Sequence, residues 1–420
     1  MNTAEVTLAE VLDFRDRRLL LQREMLSLHP GTLVSFTMNI AGPVKRSPLG
    51  DLLFFDTVQR LHAQLGEPAE ERILSEHAGN EALLSYGCDP EPIKALCLTI
   101  EEESPAGRLL DIDVLNSDGA KLSRPSERRC LVCGGPVAPC ARSRAHSLAE
   151  ITSRTEELLL SYACSTVAEL AVRALLDEVR LTPKPGLVDA ANSGAHRDMD
   201  LALMETSAKS LLPYFTRSVE LGYRSGSGCA EALQQAGLQA EQTMFSATCG
   251  VNTHQGAVFS MGLLCAGAGM ALNLGIGSVR SHAAAIASGL RFIGRGSHGE
   301  SVLTEPQKGG ARWEALSAFP HITPALEAFS EDRSSLHALL RIIAAVEDTN
   351  VLYRGGEEGL RFMHKRAQEL LLLSDGELPS AIRNFDEECI LRHLSPGGAA
   401  DLFACALFLR SFAARSRLAP

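Results

Sequence analysis

Residues 107–115 have the sequence GRLLDIDVL, in which apolar and acidic residues alternate. On a β-strand, successive side chains point to opposite faces, so Leu110, Ile112 and Val114 are predicted to face a core. Asp111 and Asp113 then share the other face. Two neighbouring carboxylates repel each other unless a cation lies between them, which predicts a Mg²⁺ site suited to phosphate chemistry. An ordinary strand with two solvated acids is the alternative interpretation.

Two other segments in the first 120 residues alternate in a similar way. Residues 33–40 (LVSFTMNI) are predicted to form one strand and residues 93–103 (IKALCLTIEEE) another, with the second in a hairpin or adjacent to the Asp111 strand. Glu101 would then offer a third carboxylate from the neighbouring strand. Helical patterns flank these strands at 5–28 and 54–66. This half is therefore predicted to be α+β.

The pattern becomes helical from about residue 153. Apolar residues recur at three- and four-residue intervals between Val167 and Val179. Similar patterns occupy 199–222, 229–247, 256–274, 335–347, 356–374 and 399–415. The sequence thus predicts a multidomain protein, with an α+β domain over 1–152 and an all-α domain over 153–420.

Composition restricts the class of protein. Of 420 residues, 45% are hydrophobic and 22% charged, which is typical of a globular chain. The net charge of −11 argues against a nucleic-acid partner, and the scattered cysteines without a secretory signal predict a cytoplasmic location. Residues 242–279 contain no charged side chain, but their Gly, Ala and Ser content favours a buried helix over a membrane span. No membrane partner is predicted.

A basic segment follows the Asp111 strand. Residues 121–154 carry seven Lys or Arg against two Glu, which suits a phosphorylated substrate, although a solvated surface would look the same. The segment includes Cys130, Cys133, Cys140 and His146. Three thiols and an imidazole can form a tetrahedral Zn²⁺ site. Reduced, packed cysteines and a redox role are the alternatives.

Three segments of the first half carry a resemblance: MNIAGPVKRSP (38–48), GRLLDIDVL (107–115) and RRCLVCGGPVAPCARSRAHS (128–147). They resemble the citrate lyase holo-acyl-carrier-protein synthase family, also called apo-citrate lyase phosphoribosyl-dephospho-CoA transferase, over roughly 8–150. The resemblance implies transfer of a phosphoribosyl-dephospho-CoA group to a serine of the apo acyl-carrier (gamma) subunit of citrate lyase, with release of pyrophosphate. It also implies a nucleotidyltransferase-like domain with a catalytic, metal-binding Asp pair. The implied phosphate contacts are Lys45, Arg108 and Arg124.

In the second half, a polar loop interrupts two helices within EVRLTPKPGLVDAANSGAHRDMD (178–200). Pro183 and Pro185 are predicted to end the first helix. The loop then concentrates Lys184, Asp189, Asn192, His196 and Asp198. Such a group suits a nucleoside triphosphate with Mg²⁺, and a long surface loop with capping residues is the alternative.

Three further motifs place polar groups at predicted helix ends. VNTHQGAVF (251–259) contributes Asn252 and His254; EDTNVLYRGG (347–356) contributes Glu347, Asp348 and Arg354; LSPGGAADLFA (394–404) contributes Gly397, Gly398 and Asp401. Amides at a helix N-terminus can bind an anion, and the carboxylates can bind its metal. The set is predicted to bind a metal–triphosphate.

Together these motifs resemble triphosphoribosyl-dephospho-CoA synthase over 155–415, through TPKPGLVD, NSGAHRDM, NTHQG, GARWEALSAFP, EDTN-x3-RGG and SPGG-x-ADL. The resemblance implies that the ribose C1 of ATP is joined to a ribose hydroxyl of 3′-dephospho-CoA, giving 2′-(5″-triphosphoribosyl)-3′-dephospho-CoA and adenine. Three positions depart from the family pattern: Gln255, Trp313 and Ala399 replace the expected Lys, Gly and Ser.

The chemistry of the implied reaction suggests roles for the loop and helix-end residues. Asp198, His196 or His254 would be the base at the acceptor hydroxyl. Glu347 and Asp348 would bind Mg²⁺, with Lys184 and Arg354 as counter-charges of the triphosphate. We therefore predict a fused, bifunctional transferase that makes the prosthetic group of citrate lyase and attaches it. A non-catalytic, zinc-containing carrier-protein adaptor with a nucleotide-binding helical domain is the competing hypothesis.

Overall fold

A computed structural model describes residues 5–125, 127–291 and 310–420. The chain divides into two compact units. The first extends to Ala163 and includes Ala414–Arg417, and the second contains Cys164–Ala413 and Leu418–Pro420. The domain boundary predicted between residues 152 and 153 lies within the helix Leu148–Arg180.

The first unit combines helices with one small sheet. Its elements are α1 (Leu8–Leu28), β1 (Thr32–Met38), α2 (Pro48–Leu65), β2 (Glu70–Glu76), β3 (Gly79–Tyr86), α3 (Pro90–Glu102), β4 (Leu110–Leu115), α4 (Val137–Ser143) and the start of α5 (Leu148–Arg180). The four strands lie in the order β2-β3-β1-β4, and every neighbouring pair is antiparallel. The predicted α+β architecture is confirmed for this unit.

The sheet has an apolar core on each side, which fixes its register. Phe36 of β1 stacks on Phe54 of α2 with ring centroids 4.7 Å apart, while Met25 of α1 packs with Leu33 and Leu83 on the opposite face. Because a slip of one residue would turn every buried side chain to the wrong face, these two contacts set the pairing of β1 with both neighbours.

Residues 93–103 form a helix, α3, and not the strand that their alternation predicted. The buried residues are Ile93, Lys94, Cys97, Ile100 and Glu101, which is helical spacing. Pro90 occupies the first turn, where the missing N–H costs no hydrogen bond. The alternating Leu96 and Leu98 are both only half-buried, so they do not mark the core face.

The predicted hairpin between residues 93–103 and 107–115 is therefore wrong as well. The hairpin of this unit is β2–β3, and β4 pairs with β1 instead. Strand β2, with sequence EERILSE, is polar and half-exposed because it lies at an edge of the sheet. An edge strand of this kind lacks the alternation by which strands are found in a sequence.

The second unit is helical, as predicted. It contains the rest of α5, followed by α6 (Leu201–Ser210), α7 (Leu212–Ser225), α8 (Ala230–Ala247), α9 (Gln255–Leu274), α10 (Val279–Ala287), α11 (Gly310–Leu316), α12 (Thr323–Ser330), α13 (Ser335–Ile343), α14 (Thr349–Leu370), α15 (Leu378–Leu391) and α16 (Gly397–Ser416). The helix predicted at 199–222 is two helices, because Pro213 starts a new one after Leu211.

Within the described ranges, three helices have the length and composition of a membrane span: α5, α9 and α16. The sequence pointed to α9 alone. Their most apolar windows are 67%, 78% and 61% buried inside the structure, respectively. Helix α9 packs closely enough on α7 that a Cβ on Gly262 would overlap the Tyr214 hydroxyl. Close packing of small residues accounts for the uncharged sequence of α9.

Candidate functional sites

The Asp pair lies on β4, at an edge of the sheet. Asp113 stands opposite Ser35 and Asp111 opposite Thr37 on β1, so both carboxylates are on one face, as predicted. Their side chains are 28% and 43% exposed, whereas Ile112 between them is buried. Each acid already has a cationic partner: Lys121 Nζ lies 2.5 Å from Asp113, and Arg128 Nη2 lies 3.2 Å from Asp111.

Glu101 belongs to helix α3 and does not supply a carboxylate from a neighbouring strand. Its Oε1 accepts the backbone N–H of Ile112 at 3.1 Å, while Lys94 donates to the Ile112 carbonyl at 3.1 Å. These two side chains satisfy the open edge of β4. The Glu101 carboxylate also forms ion pairs with Arg124 and, at 2.7 Å, with Arg128.

Two cavities share the arginines at this edge. A cavity of about 230 Å³ is lined by both aspartates together with Lys94, Lys121, Arg124 and Arg128. A second, of about 650 Å³, is lined by Arg108, Arg124, Arg128, Arg129 and the acidic end of α3. Side chains of Arg124 and Arg128 thus border both spaces. The arrangement is suited to phosphate groups, since guanidinium binds phosphate oxygens in pairs.

The three predicted phosphate contacts differ in position. Arg124 and Arg108 line the larger cavity, whereas Lys45 lines neither of these two described cavities. Lys45 donates to the Ile40 carbonyl at 2.7 Å, and burial lowers its pKa. Burial, followed by the charges of Arg128 and Arg124, lowers the pKa of Arg108. Lys121 and Arg128, which carry the ion pairs of the Asp pair, were outside the predicted set.

The Cys/His cluster is brought together as its spacing predicted. One ligand atom from each of Cys130, Cys133, Cys140 and His146 lies within 4.8 Å of the others, so the cluster can bind a metal. Backbone N–H groups of Cys133 and Val132 lower the pKa of Cys130 to about 7, and the other thiols raise that of Cys140 to about 11. One thiol is thus already favoured as the thiolate that metals bind.

In the second unit, Lys184 is buried in an ion pair. Its Nζ lies 2.6 Å from Glu178 Oε1 and 2.8 Å from the Glu178 carbonyl oxygen, and the residue is 1% exposed. Its backbone N–H donates to Asp189. A lysine this buried requires a matching carboxylate. Lys184 therefore stabilises this conformation of the loop, and Glu178 neutralises its charge.

The loop from 182 to 194 is held by carboxylate–backbone hydrogen bonds. Asp189 Oδ1 accepts the N–H groups of Ala191 and Asn192 at 2.7 and 3.1 Å. Asp386, on α15, accepts the N–H of Gly186 and the Asn192 side-chain amide, both at 2.8 Å. Burial raises the pKa of Asp386, against the effect of these hydrogen bonds. Asp189 and Asn192 thus shape the loop.

His196 has a partner on each ring nitrogen. Its Nε2 is 2.9 Å from Ser395 Oγ, and its Nδ1 is 3.4 Å from Arg354 Nη2. Because guanidinium only donates, Nδ1 must accept and Nε2 must carry the proton. Burial and then Arg354 lower the pKa of His196, against an opposing effect of Asp198, which is exposed.

His254, just before α9, has one free nitrogen. Its Nδ1 is 2.8 Å from Ser207 Oγ, whereas Nε2 is buried and lacks a hydrogen-bond partner in the described part of the chain. Burial, with a smaller contribution from Lys184, lowers its pKa to about 4. The imidazole is therefore neutral at pH 7. Asn252, two residues earlier, is exposed and donates to Gln255 at 2.9 Å.

Asp348 connects the starts of two helices. Oδ1 accepts the N–H groups of Asn350 and Val351 in α14, and Oδ2 accepts that of Ala399 in α16 at 2.8 Å. A Cβ on Gly398 would lie 3.1 Å from Oδ2, and one on Gly397 would lie 2.8 Å from the Asn350 amide, so side chains there would crowd both groups. Burial raises the pKa of Asp348, whereas neighbouring Glu347 is exposed.

Asp401 reaches from α16 to the start of α9. A Cβ on Gly256 would lie only 2.1 Å from its Oδ2, so the carboxyl group packs against the helix backbone there. Burial, and then the charges of Glu178 and Asp348, raises the pKa of Asp401 well above its usual range. The acids of three motifs thus converge on one buried region beside Lys184 and His254.

The three departures from the family pattern are accommodated locally. Gln255 lies 3.4 Å from Glu241 Oε2, Trp313 packs against the ring of His321 at 5.7 Å, and Ala399 contributes only its backbone N–H to Asp348. The last interaction needs no hydroxyl group, so Ser and Ala are equivalent for it.

Sequence reasoning missed several residues of this second site. Glu178 lies in the quoted segment 178–200 but was not among the predicted site residues, although it is the ion-pair partner of Lys184. Ser395 lies within SPGG and was passed over. Asp386 lies in an ordinary amphipathic helix, RNFDEEC, and it reaches a loop about 200 residues away in sequence. No local signal could have found it.

Comparisons with known proteins agree with this division into two units. Residues 6–162 match the family model of apo-citrate lyase phosphoribosyl-dephospho-CoA transferase. Residues 164–419 match that of ATP:dephospho-CoA triphosphoribosyl transferase.

Similar curated proteins have the same two parts or one of them. The chain is 35% identical to Protein CitXG of Haemophilus influenzae over 97% of both chains. It is 29% identical to Protein CitXG of Leuconostoc mesenteroides over 96% of this chain and 97% of that one. A 2-(5″-triphosphoribosyl)-3′-dephosphocoenzyme-A synthase of Klebsiella pneumoniae is 40% identical over 59% of this chain and 91% of its own length.

Proposed function

The chain belongs to the CitXG family, in which the two transferases are fused, and we propose here how its two sites divide the work. It is a bifunctional transferase of citrate lyase prosthetic-group biosynthesis. One reaction makes 2′-(5″-triphosphoribosyl)-3′-dephospho-CoA from ATP and 3′-dephospho-CoA, with release of adenine. The other attaches the phosphoribosyl-dephospho-CoA group to the apo acyl-carrier subunit and releases pyrophosphate.

We assign attachment to the first unit, at the edge of β4. The carrier serine hydroxyl loses its proton as its oxygen forms a bond to the α-phosphorus, the α–β anhydride bond breaks, and pyrophosphate leaves with the bonding electrons and takes up a proton. Asp111 and Asp113 suit this role because they are accessible and because their ion-pair partners are side chains, Lys121 and Arg128. Two acids on one strand face are also what a nucleotidyltransferase-like domain requires, so we retain that description as a proposal.

The donor set at the Asp pair fits a hard divalent cation. Two half-exposed carboxylates face the same cavity, and oxygen ligands are those that Mg²⁺ prefers. Bound Mg²⁺ would neutralise phosphate charge as pyrophosphate departs. The protein supplies the rest: Arg124 and Arg128 orient the triphosphate, and the β4 strand fixes the direction of both carboxylates.

We assign the synthase reaction to the second unit, where the acids of three motifs converge. Departure of adenine leaves positive charge on the ribose C1, and a nearby carboxylate stabilises such a centre. Of the candidate bases, His254 has the geometry for it, since its Nε2 has no partner among the described residues. Both nitrogens of His196 are occupied, so we propose that His196 positions Arg354 and Ser395.

The prediction of Mg²⁺ binding by Glu347 and Asp348 remains a prediction. Asp348 already accepts three backbone N–H groups, which favours a positioning role. Glu347 is exposed, so its carboxylate is accessible to a cation. Likewise, buried Lys184 would reach a triphosphate only after leaving Glu178, whereas exposed Arg354 has a guanidinium group at the surface of the loop.

Further proposals concern the metal of the Cys/His cluster and the setting of the enzyme. Three thiols and an imidazole within 4.8 Å match the tetrahedral site of Zn²⁺, so we propose a structural zinc ion there. We also propose that the enzyme works in the cytoplasm on ATP, 3′-dephospho-CoA and the apo acyl-carrier subunit, without nucleic-acid or membrane partners.

One coupled experiment tests the proposed division. The protein is incubated with ATP, 3′-dephospho-CoA and Mg²⁺, adenine is measured by chromatography, and then apo carrier subunit is added and its mass measured. We expect adenine first and a mass increase afterwards. Nucleotide binding without adenine would instead support the non-catalytic adaptor. If Asp113→Asn stops adenine release and His254→Gln stops only attachment, our assignment of the reactions is reversed.

A further inference from the structure

The segment that carries the Cys/His cluster also carries two arginines of the larger cavity. Arg128 and Arg129 immediately precede Cys130. The Cys130 N–H donates to the Gly135 carbonyl at 2.6 Å, the Gly134 N–H donates back to the Cys130 carbonyl at 3.0 Å, and the Val137 N–H donates to the Arg128 carbonyl at 3.2 Å. These hydrogen bonds close a tight turn over 128–137.

The side chains and the backbone of this turn contact β4 and the segment just before it. Arg128 contacts Glu101 at 2.7 Å and Asp111 at 3.2 Å. The Arg129 carbonyl accepts a hydrogen bond from the Arg108 guanidinium. A displacement of the turn would therefore move the partners of both Asp111 and Arg108.

The larger cavity is lined by four arginines and by four glutamates, Glu101, Glu102, Glu103 and Glu127. Arg108, Arg124, Arg128 and Arg129 line it, and the Glu101 carboxylate pairs with two of them. Arg108 Nε is buried and lacks a hydrogen-bond partner within the described ranges. Guanidinium groups gathered in this way, with an unused donor, form a site for a polyanion.

Few other contacts hold the turn in place. Cys133 is exposed, Cys130 and Cys140 are only half-buried, and α4 has no buried residue. A segment with so little apolar burial has low local stability unless a covalent or metal link fixes it. A metal bound to the cluster would join the turn to α4 through Cys140 and to the segment after α4 through His146.

We propose that the Cys/His cluster is a metal clamp that positions Arg108 and Arg128 to bind the pyrophosphate end of the precursor. This inference rests on the proposed attachment reaction in the first unit. It assigns the cluster a positioning role, outside the reacting atoms, and it makes substrate affinity depend on metal occupancy. Adenine release in the second unit does not depend on the clamp.

The test compares Cys133→Ser with Cys88→Ser, a matched change of an exposed cysteine outside the cluster. Zinc content, affinity for inorganic pyrophosphate by calorimetry, and the kinetics of carrier modification with pre-made precursor are measured on the full-length protein. We expect about one zinc per chain in wild type and Cys88→Ser, and less in Cys133→Ser. Pyrophosphate affinity should fall roughly 10- to 100-fold with the zinc, the scale of a lost charge-assisted contact.

Kinetics and a second variant distinguish positioning from general damage. Precursor KM should rise in Cys133→Ser while adenine release stays at the wild-type rate, and Arg128→Gln should weaken pyrophosphate binding with zinc retained. Zinc-free protein that binds pyrophosphate like wild type would overturn the proposal. Wild-type protein that contains no metal would also overturn it, and so would wild-type protein in which Cys133 and Cys140 form a disulfide. A wild type that binds pyrophosphate but never modifies the carrier would instead refute the proposed attachment reaction.

Discussion

The two sites use acidic residues in opposite ways. At the edge of β4, Asp111 and Asp113 are half-exposed and pair with side chains, Arg128 and Lys121. In the helical unit, Asp348 and Asp386 are buried and accept backbone N–H groups from distant segments. A side-chain partner can be exchanged for a phosphate group at little cost, because exposed ion pairs are worth only about 0–1 kcal/mol.

In the first unit, the acids of the site are therefore expected to affect activity without affecting stability. In the helical unit, the buried acids are expected to affect both. Substitution of an acid at the β4 edge should reduce activity and leave folding intact. Substitution of a buried acid in the helical unit should reduce both, because it leaves backbone donors without acceptors.

Asp348→Ala should have the largest effect. It removes the acceptor of three N–H groups, of which those of Val351 and Ala399 belong to fully buried residues. We expect a loss of roughly 3 kcal/mol in the stability of the helical unit and of at least about 100-fold in adenine release. Thermal unfolding and adenine chromatography measure the two effects.

The matched control is Asp200→Ala. Asp200 is the exposed N-cap of α6, and its carboxylate accepts the N–H of Leu203. It should cost about 1 kcal/mol. Equal effects of the two substitutions would contradict the special position of Asp348. Normal stability with lost adenine release in Asp348→Ala would instead support the predicted metal role.

Glu81→Gln tests whether accepted backbone N–H groups, and not burial alone, make a buried acid stabilising. Glu81 lies on β3 in the first unit, is 0% exposed, and has Arg18 Nη1 3.8 Å away. Neither carboxylate oxygen has a hydrogen-bond partner among the residues that the structure describes. Burial raises its pKa from 4.5 to about 7.

The direction of the pH effect follows from this shift. Between pH 4.5 and 7 the folded protein binds more protons than the unfolded chain, so the Glu81 contribution to stability is present at low pH and lost as pH rises. Gln cannot ionise, so Glu81→Gln should be more stable than wild type at pH 8 by roughly 2–3 kcal/mol. The advantage should fall below about 1 kcal/mol near pH 5. Denaturant unfolding at both pH values checks it, and an equal difference at both would disprove the assignment.

Gln255→Ala should have the smallest effect. Gln255 is exposed and contacts Asn252 and Glu241. Neither residue is one of the acids that converge beside Lys184 and His254. We expect a change below about threefold in the KM for ATP, because exposed polar contacts contribute little. A tenfold rise in that KM would show that position 255 binds substrate even without the lysine typical of the family.

The sequence predicted the strand, the Cys/His cluster and the helices because each follows from the spacing of nearby residues. The alternation around Asp111 predicted a strand with both acids on one face, and the Cys/His spacing predicted a cluster that the fold does bring together. The apolar spacing of the second half predicted helices, because a 3.6-residue period has no other regular interpretation. These features depend on residues close together in sequence.

Long-range contacts are what the sequence could not supply. The apolar residues of 93–103 fit the spacing of a strand and that of a helix. Burial of Ile93, Cys97 and Ile100 in the first unit is what favours the helix. Asp386 acts on Gly186 across the chain, and Lys184 becomes an internal ion pair only because Glu178 is turned towards it. The partners of charged residues, and hence their roles, follow from tertiary structure.

We propose that the β4 edge performs attachment independently of the helical unit, and Asp113→Asn is the substitution that decides whether it does. Carrier mass, adenine release and thermal unfolding are measured side by side, with Asp386→Asn as the buried counterpart. We predict that Asp113→Asn lowers carrier modification about 100-fold, the scale of losing one electrostatic stabiliser, with adenine release and unfolding unchanged. Asp386→Asn should lower adenine release and the unfolding temperature. Normal carrier modification by Asp113→Asn would show that attachment does not depend on the acids of β4.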